Sequence, residues 1–221
     1  MSLILPKEKN KPKVNNPRFL IIFGKPKSGK TTAVAALDNN LIIDLEGGSE
    51  FLSALSIQAR NINDLGEISK AIQEEINKTG KKPYKYITID NATRLEEICL
   101  GYAKVLYKQT PIGKSYNGDD IRTLPNGSGY LYLRQAVRKV IDMFRDLCES
   151  LILVTHLKDK MVNYDGQDVT EIAIDLTGKL GDILCGEADA IGYCYRKKNE
   201  TIISFEGGEG TVREARALHL R

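Results

Sequence analysis

The stretch Arg18–Thr32 constrains this chain more than any other. It reads Arg-Phe-Leu-Ile-Ile-Phe-Gly-Lys-Pro-Lys-Ser-Gly-Lys-Thr-Thr. Phe19 to Phe23 is an apolar, β-branched run of the length of a buried strand and too short to be a helix of its own. Gly24-Lys25-Pro26-Lys27-Ser28-Gly29-Lys30-Thr31 then satisfies every fixed position of the P-loop pattern G-x-x-x-x-G-K-[ST], with Thr32 following. Thr32 to Leu37 has helical character, so the motif sits between a strand and a helix, as its chemistry requires. The glycines let backbone N–H groups turn inward around a phosphate, and the helix N-terminus adds partial positive charge. On this pattern Lys30 reaches the β- and γ-phosphates and the Thr31 hydroxyl faces Mg²⁺. The plain alternative, a glycine turn before an ordinary helix, leaves the strand, loop and helix context unexplained.

Composition narrows the class. At 221 residues the chain is one domain or a domain with extensions, and it can bury a sizeable core. No apolar run approaches the roughly 20 residues of a membrane span, and Leu3-Ile4-Leu5 is too short for the core of an export signal. A cytoplasmic setting without membrane contact is therefore expected. Cys99, Cys148, Cys185 and Cys194 show no C-x-x-C pairing and fall in apolar-periodic segments, which suits small buried residues of a reducing compartment. The net charge of +3 is unevenly placed. Lys7, Lys9, Lys11, Lys13 and Arg18 face Glu8 alone, so the first residues account for the whole excess and the rest is close to neutral. Residues 1–17 read as a flexible basic arm and 18–221 as the folded domain. The arm is either a solvated tail or a tether whose Leu3-Ile4-Leu5 docks on a neighbouring subunit.

Further along, Leu41 to Asp44 is a second buried strand, ending in Asp44-Leu45-Glu46-Gly47-Gly48, a turn with two carboxylates. Glu50 to Gln58 reads as helical. Leu65, Ile68, Ile72 and Ile76 recur at helical spacing up to Gly80, with a helix start at Asn63-Asp64. Tyr84 to Asp90 is a third strand, and an apolar strand ending in Asp suits a second magnesium-ordering group beside Thr31. A helix from about Ala92 to Lys108 precedes a long Gly-, Pro-, Asn- and Asp-rich loop, Gln109–Gly129, of a length usually functional or disordered. Tyr130 to Glu149 is amphipathic, and Leu151 to Thr155 is a fourth strand before His156. Lys158–Thr170 reads as a hairpin around Asp165-Gly166, Thr177 as the cap of a short helix over Gly178–Gly186, and Asp189–Arg196 with Thr201–Phe205 as a second hairpin. Strands alternating with helices predict a mostly parallel sheet covered on both faces, with a C-terminal antiparallel extension.

The combination of Gly24–Thr32, Asp44-Leu45-Glu46-Gly47, Ile87–Asn91 and Leu151–His156 resembles the RecA/KaiC-like P-loop ATPase core. It looks most like the short phage nucleotide-binding or single-strand-annealing ATPases. The resemblance implies an α/β RecA-like fold and an Mg²⁺-dependent ATPase acting on single-stranded DNA in phage recombination or replication. Such a protein would work as a ring or filament of identical subunits, beside other phage replication or recombination proteins, in the cytoplasm of a bacterial host. It implies that Glu46 orients the attacking water, from a strand adjacent to the P-loop strand, and that His156 senses the γ-phosphate and relays its state to Leu157–Thr170. Lys158 and Lys160 in that segment would touch DNA phosphates. Basic residues near Arg196 and Lys198, placed on one face by alternation, would reach a neighbour's γ-phosphate in trans. The plainer readings are that Asp44 and Glu46 merely begin a loop and that the 196–198 cluster is a solvated hairpin tip.

Several rivals fit less well. A partition-type ATPase would use a second lysine such as Lys25, but Pro26-Lys27 replaces the glycine pair it needs. A GTPase would carry Asn-Lys-x-Asp, which Thr155-His156-Leu157-Lys158-Asp159 does not supply. A small-molecule kinase would use Gln109–Gly129 as a lid with Arg122 as its arginine. An ATP-binding structural or loading switch with negligible turnover is the non-catalytic alternative.

Overall fold

The computed structural model describes residues 16–164, 166–207 and 212–220. Residues 1–15, with Leu3-Ile4-Leu5, and the Asp165 of the expected Asp-Gly turn lie outside that set.

In chain order the elements are β1 (Phe19–Gly24), α1 (Lys30–Ala35), β2 (Asn40–Asp44), β3 (Leu55–Gln58), α2 (Ile62–Thr79), β4 (Tyr86–Asp90) and α3 (Ala92–Lys108). They continue with α4 (Ser128–Arg145), β5 (Ser150–Tyr164), β6 (Gln167–Ile174), α5 (Leu180–Glu187), β7 (Ala190–Lys197), β8 (Glu200–Ser204) and β9 (Glu214–Ala215). Strands run β3-β2-β4-β5-β1-β7-β8 across the sheet, with β6 on β5 and β9 on β7. All pairs from β3 to β7 are parallel, whereas β6, β8 and β9 pair antiparallel. This is the expected α/β, RecA-like P-loop arrangement with a C-terminal antiparallel hairpin.

The two faces are covered unequally. Phe19, Ile21, Ile43, Ile87, Ile89, Leu151 and Leu153 point to one face and bury against Leu65, Leu95, Cys99, Leu133, Val137 and Phe144 from α2, α3 and α4. Ile22, Ile42, Ile152, Val154 and Cys194, one register position away, pack on Val34 of α1. A helix as short as α1 is unstable by itself. It is held by that apolar contact, worth roughly 1.5–3 kcal/mol for a buried Val, and by buried side chains. Asn40 Nδ2 donates to Val34 O at 2.7 Å, and Thr88 Oγ1 donates to Asn40 Oδ1 at 2.9 Å. The P-loop helix is thereby pinned to β2 and β4.

Several expectations need correction. Glu50–Gln58 is not a helix: Gly48–Phe51 forms one 3₁₀ turn and Leu55–Gln58 is an edge strand beside β2. Phe51, Leu55 and Ile57 stay exposed, so no packed apolar face holds a short helix there, whereas the open edge of β2 offers hydrogen bonds at once. β2 does not adjoin the P-loop strand, because β4 and β5 lie between them. Helix α2 is capped two residues earlier than expected, Asn61 accepting from Asn63 N and Asp64 N. The 109–129 segment is not irregular throughout but holds three 3₁₀ turns packed along α3 and α4. Lys179, not Thr177, stands at the N-terminus of α5. The Thr177 amide instead donates to Glu96 Oε2 at 3.0 Å. Finally, β5 does not stop at Thr155; it runs on as a two-stranded ribbon with β6.

Candidate active site

The parallel strands end level. Gly24 lies opposite both His156 and Cys194, Asp44 opposite Asp90, and Asp90 opposite Val154. Ligands of open α/β sheets bind at such carboxyl ends. Here a cleft of about 490 Å³ is lined by Pro26, Lys27, Gly29, Lys30, Thr31, Thr32, Glu46, Phe51, Asp90, Asn91, His156 and Arg196, with Gly48 and Leu52 at its side.

The loop's shape is built from backbone constraints. Gly29 has φ +97°, and a Cβ there would lie 2.4 Å from Thr201 Oγ1 of β8. A Cβ at Gly24 would lie 2.3 Å from the Cys194 carbonyl oxygen of β7. Both glycines are thus required by close approach of the terminal hairpin to the loop. Lys30 is buried, and its Nζ donates to Gly24 O at 3.0 Å and Lys25 O at 2.9 Å. Burial lowers its pKa, opposed by Asp90, Cys194 and Glu46. The third N–H of the ammonium is left for a phosphate. Ser28 Oγ is buried without a partner among the described residues. The Lys25 side chain is exposed and outside the cleft lining.

Thr31 Oγ1 donates to Asp90 Oδ2 at 2.6 Å. Burial raises the Asp90 pKa, and the Thr31 bond and Lys30 work against that rise. A hydroxyl and a carboxylate side by side suit a hard cation that takes oxygen ligands. Among the described residues no cluster of three or more His, Cys, Asp or Glu could cage a metal alone.

The two carboxylates after β2 have separate duties. Asp44 is buried and accepts from Glu46 N at 3.0 Å, Gly47 N at 2.7 Å, Ser49 N at 2.7 Å and Ser49 Oγ at 2.5 Å. Burial alone would raise its pKa, but these hydrogen bonds, Ser49 foremost, bring it below the usual value. Asp44 therefore shapes the turn, and the turn carries Glu46 into the cleft, with Leu45 N anchored on Asp90 O at 2.7 Å. Glu46 Oε2 lies 3.8 Å from His156 Nε2. His156 Nε2 is also 3.0 Å from Asn91 Nδ2, while Asn91 Oδ1 accepts from Arg94 N at 2.9 Å. The backbone of His156 also ties in the ribbon, its carbonyl accepting from Asp175 N at 2.8 Å.

The remaining expected residues scatter. Arg196 lines the cleft of its own chain. Lys198 does not: β7 ends at Lys197, and Lys198 takes φ +56° in the turn, so strand alternation does not reach it. Lys158 and Lys160 lie on the β5–β6 ribbon rather than in a loop. Lys158 Nζ donates to Leu176 O, and Lys160 Nζ bonds Asp182 Oδ1 at 2.9 Å. Arg122, the lid arginine of the kinase alternative, pairs with Asp120 and borders a separate cavity of about 120 Å³. A larger depression of about 690 Å³ lies at the opposite strand ends, where Arg18, Lys82 and Arg145 are offset by Asp142, Asp146 and Glu149.

Two cleft residues had no role assigned from sequence. Asn91 was legible only as the residue after Asp90. Phe51, 90% exposed at the cleft side, was hidden by reading 50–58 as a helix. An aromatic just after a Gly-Gly turn was the available signal.

A family model described as an AAA domain, AAA_24, matches residues 16–217. The chain belongs to the AAA_24 family. It is accordingly a P-loop ATPase domain, a class that binds and hydrolyses nucleotides. A comparison with curated proteins finds no match. Among the described residues no helix of this AAA_24 member is long and apolar enough to cross a membrane.

Proposed function

We propose that this AAA_24 protein binds ATP with Mg²⁺ and hydrolyses it in the cleft at the strand ends. The observation that carries the reading is the convergence of Lys30, the Thr31–Asp90 pair, Glu46 and His156 on that one cleft. Backbone N–H groups of the loop and the Lys30 ammonium take the phosphate charge. Thr31 and Asp90 would hold Mg²⁺, which when bound would supply neutralisation of the phosphate charge. Glu46 accepts a hydrogen bond from water and aims it at the γ-phosphorus; the water proton passes to the carboxylate as the new phosphorus–oxygen bond forms and the bond to the β–γ bridging oxygen breaks, its electron pair leaving with ADP. His156, within ion-pair distance of Glu46 and joined to Asp175, registers whether the γ-phosphate is present. Phe51 provides an aromatic plane for the base.

Within this reading the ATPase serves single-stranded DNA recombination or replication in a phage-infected bacterial cytoplasm, as an assembly of identical subunits. The supporting feature is the motif resemblance over Gly24–Thr32, Asp44–Gly47 and Leu151–His156. Lys158 and Lys160 would have to leave Leu176 and Asp182 to reach a DNA backbone, so DNA contact entails release of those two side chains. Lys198, at the turn and outside the cleft, is the group available to a neighbour.

The test is Glu46→Gln. Nucleotide affinity is expected to stay within a factor of about three while turnover falls about 10²-fold or more, the scale of a lost general base. Unchanged turnover removes Glu46 from the mechanism, and binding without turnover by the wild type favours the loading switch. Added single-stranded DNA raising the wild-type rate supports the DNA role; an unaltered rate counts against it.

A further inference from the structure

We infer that Arg196 contacts the γ-phosphate within its own subunit, so that the charge-stabilising arginine of this site acts in cis. The inference deepens the ATP-binding reading above and rests on it.

Three observations aim the side chain. First, β7 pairs with the P-loop strand in register, Gly24 lying opposite Cys194. Side chains two positions apart share a strand face, so Arg196 follows Cys194 and not Tyr195. The rings confirm the alternation: Tyr193 stacks on Tyr195 at 5.5 Å and packs at a tilt against Phe23 at 5.3 Å, on the opposite face. Second, the Cys194 face is the one against the P-loop, since Cys194 Sγ lies 3.6 Å from Ser28 O. Burial pushes the Cys194 thiol up, while the Ser28 hydrogen bond and the charges of Lys30 and Arg196 pull it down. Third, the hairpin that carries Arg196 is braced on the loop. Arg196 faces Thr201 across β7–β8, and Thr201 fills the space in which a Gly29 Cβ would sit.

The result is an exposed guanidinium at the wall of the cleft that also holds Lys30, Thr31, Glu46 and Asp90. Among the described residues Arg196 has no hydrogen bond or ion pair, unlike Arg122, Arg138, Arg145 and Arg216. Two carboxylates and a tetra-anionic ligand would share this space, and Lys30 spends two of its three donors on loop carbonyls. A planar fork of N–H donors is suited to a terminal phosphate. Because the side chain already borders its own cleft, γ-phosphate recognition needs no second copy.

The test compares Arg196→Ala and Arg196→Lys with the wild type by equilibrium titration, using Mg-ATPγS and Mg-ADP at concentrations where sedimentation reports single chains. Arg196→Ala should lose about tenfold in affinity for ATPγS, the scale of one charge-assisted hydrogen bond, with ADP affinity within about twofold. Arg196→Lys should recover part of the loss. Equal losses for both nucleotides, or no loss, overturn the inference while leaving nucleotide binding intact. Failure of the wild type to bind either nucleotide overturns both readings. A second arm mixes Arg196→Ala with Glu46→Gln subunits: a cis arginine predicts no recovered turnover, and recovery in the mixture would place the arginine in trans.

Discussion

Asp44 and Glu46 stand two residues apart in one turn, and burial separates them: the first organises the turn, the second is left at the cleft. Asp44 accepts four hydrogen bonds and is buried; Glu46 is half-exposed and reaches the cleft. Asp44→Ala should cost about 2 kcal/mol or more in urea unfolding, because several donors lose a charged acceptor. The sign of its pH dependence follows from the lowered folded pKa. The stabilisation is full above the ordinary value of 3.8 and is lost as pH falls through the lower folded value. Asp44→Asn should therefore flatten the acid limb of the stability profile; an unchanged limb would show that the turn does not depend on the charge. Phe51→Ala should weaken ATP binding about tenfold with little effect on stability, since its ring is exposed. The scale is that of stacking on one base, and equal affinities by titration would remove Phe51 from base recognition. The sequence made Lys30, Thr31 and Asp90 legible because each stands at a fixed offset from a strand end. Phe51 and Asn91 were not legible, since their roles depend on how the chain folds back across the strand tips.

Among the elements, the P-loop behaves as a layer clamped between α1 and the β7–β8 hairpin. Gly24 exists for the approach of β7, not only for the turn. Gly24→Ala should push the Cys194 carbonyl away, costing roughly 1–3 kcal/mol by overpacking and weakening nucleotide binding together with stability. A thermal midpoint equal to that of the wild type would contradict the clamp. The long strongly periodic elements, α2, α3 and α4, were readable because burial and periodicity agree over many residues. The 50–58 segment misled because Phe51, Leu52 and Leu55 fit a helical face, yet tertiary pairing with β2 decides so short a stretch. The reach of β5 beyond Thr155 was likewise invisible as one strand, because its pairing partner changes from β1 and β4 to β6 at Leu157.

For the whole molecule, the strand order explains why the site is one cleft. β5 stands between the P-loop strand and the Asp90 strand, so His156 emerges between the P-loop and the Asp90 carboxylate. β2 is farther away, and only the Asp44-organised turn carries Glu46 back over Asp90 to meet His156. The ribbon that begins at Leu157 and returns at Ile174 is bonded to His156 through Asp175, so an event at the γ-phosphate has a direct backbone route to it. The central claim is hydrolysis of a magnesium nucleotide in this cleft. Its most direct test is phosphate release from ATP by the full chain with Mg²⁺ and with excess chelator, alongside equilibrium ATP binding. The account predicts sustained release that stops on chelation; tight ATP binding with no release above background at any Mg²⁺ concentration would contradict it.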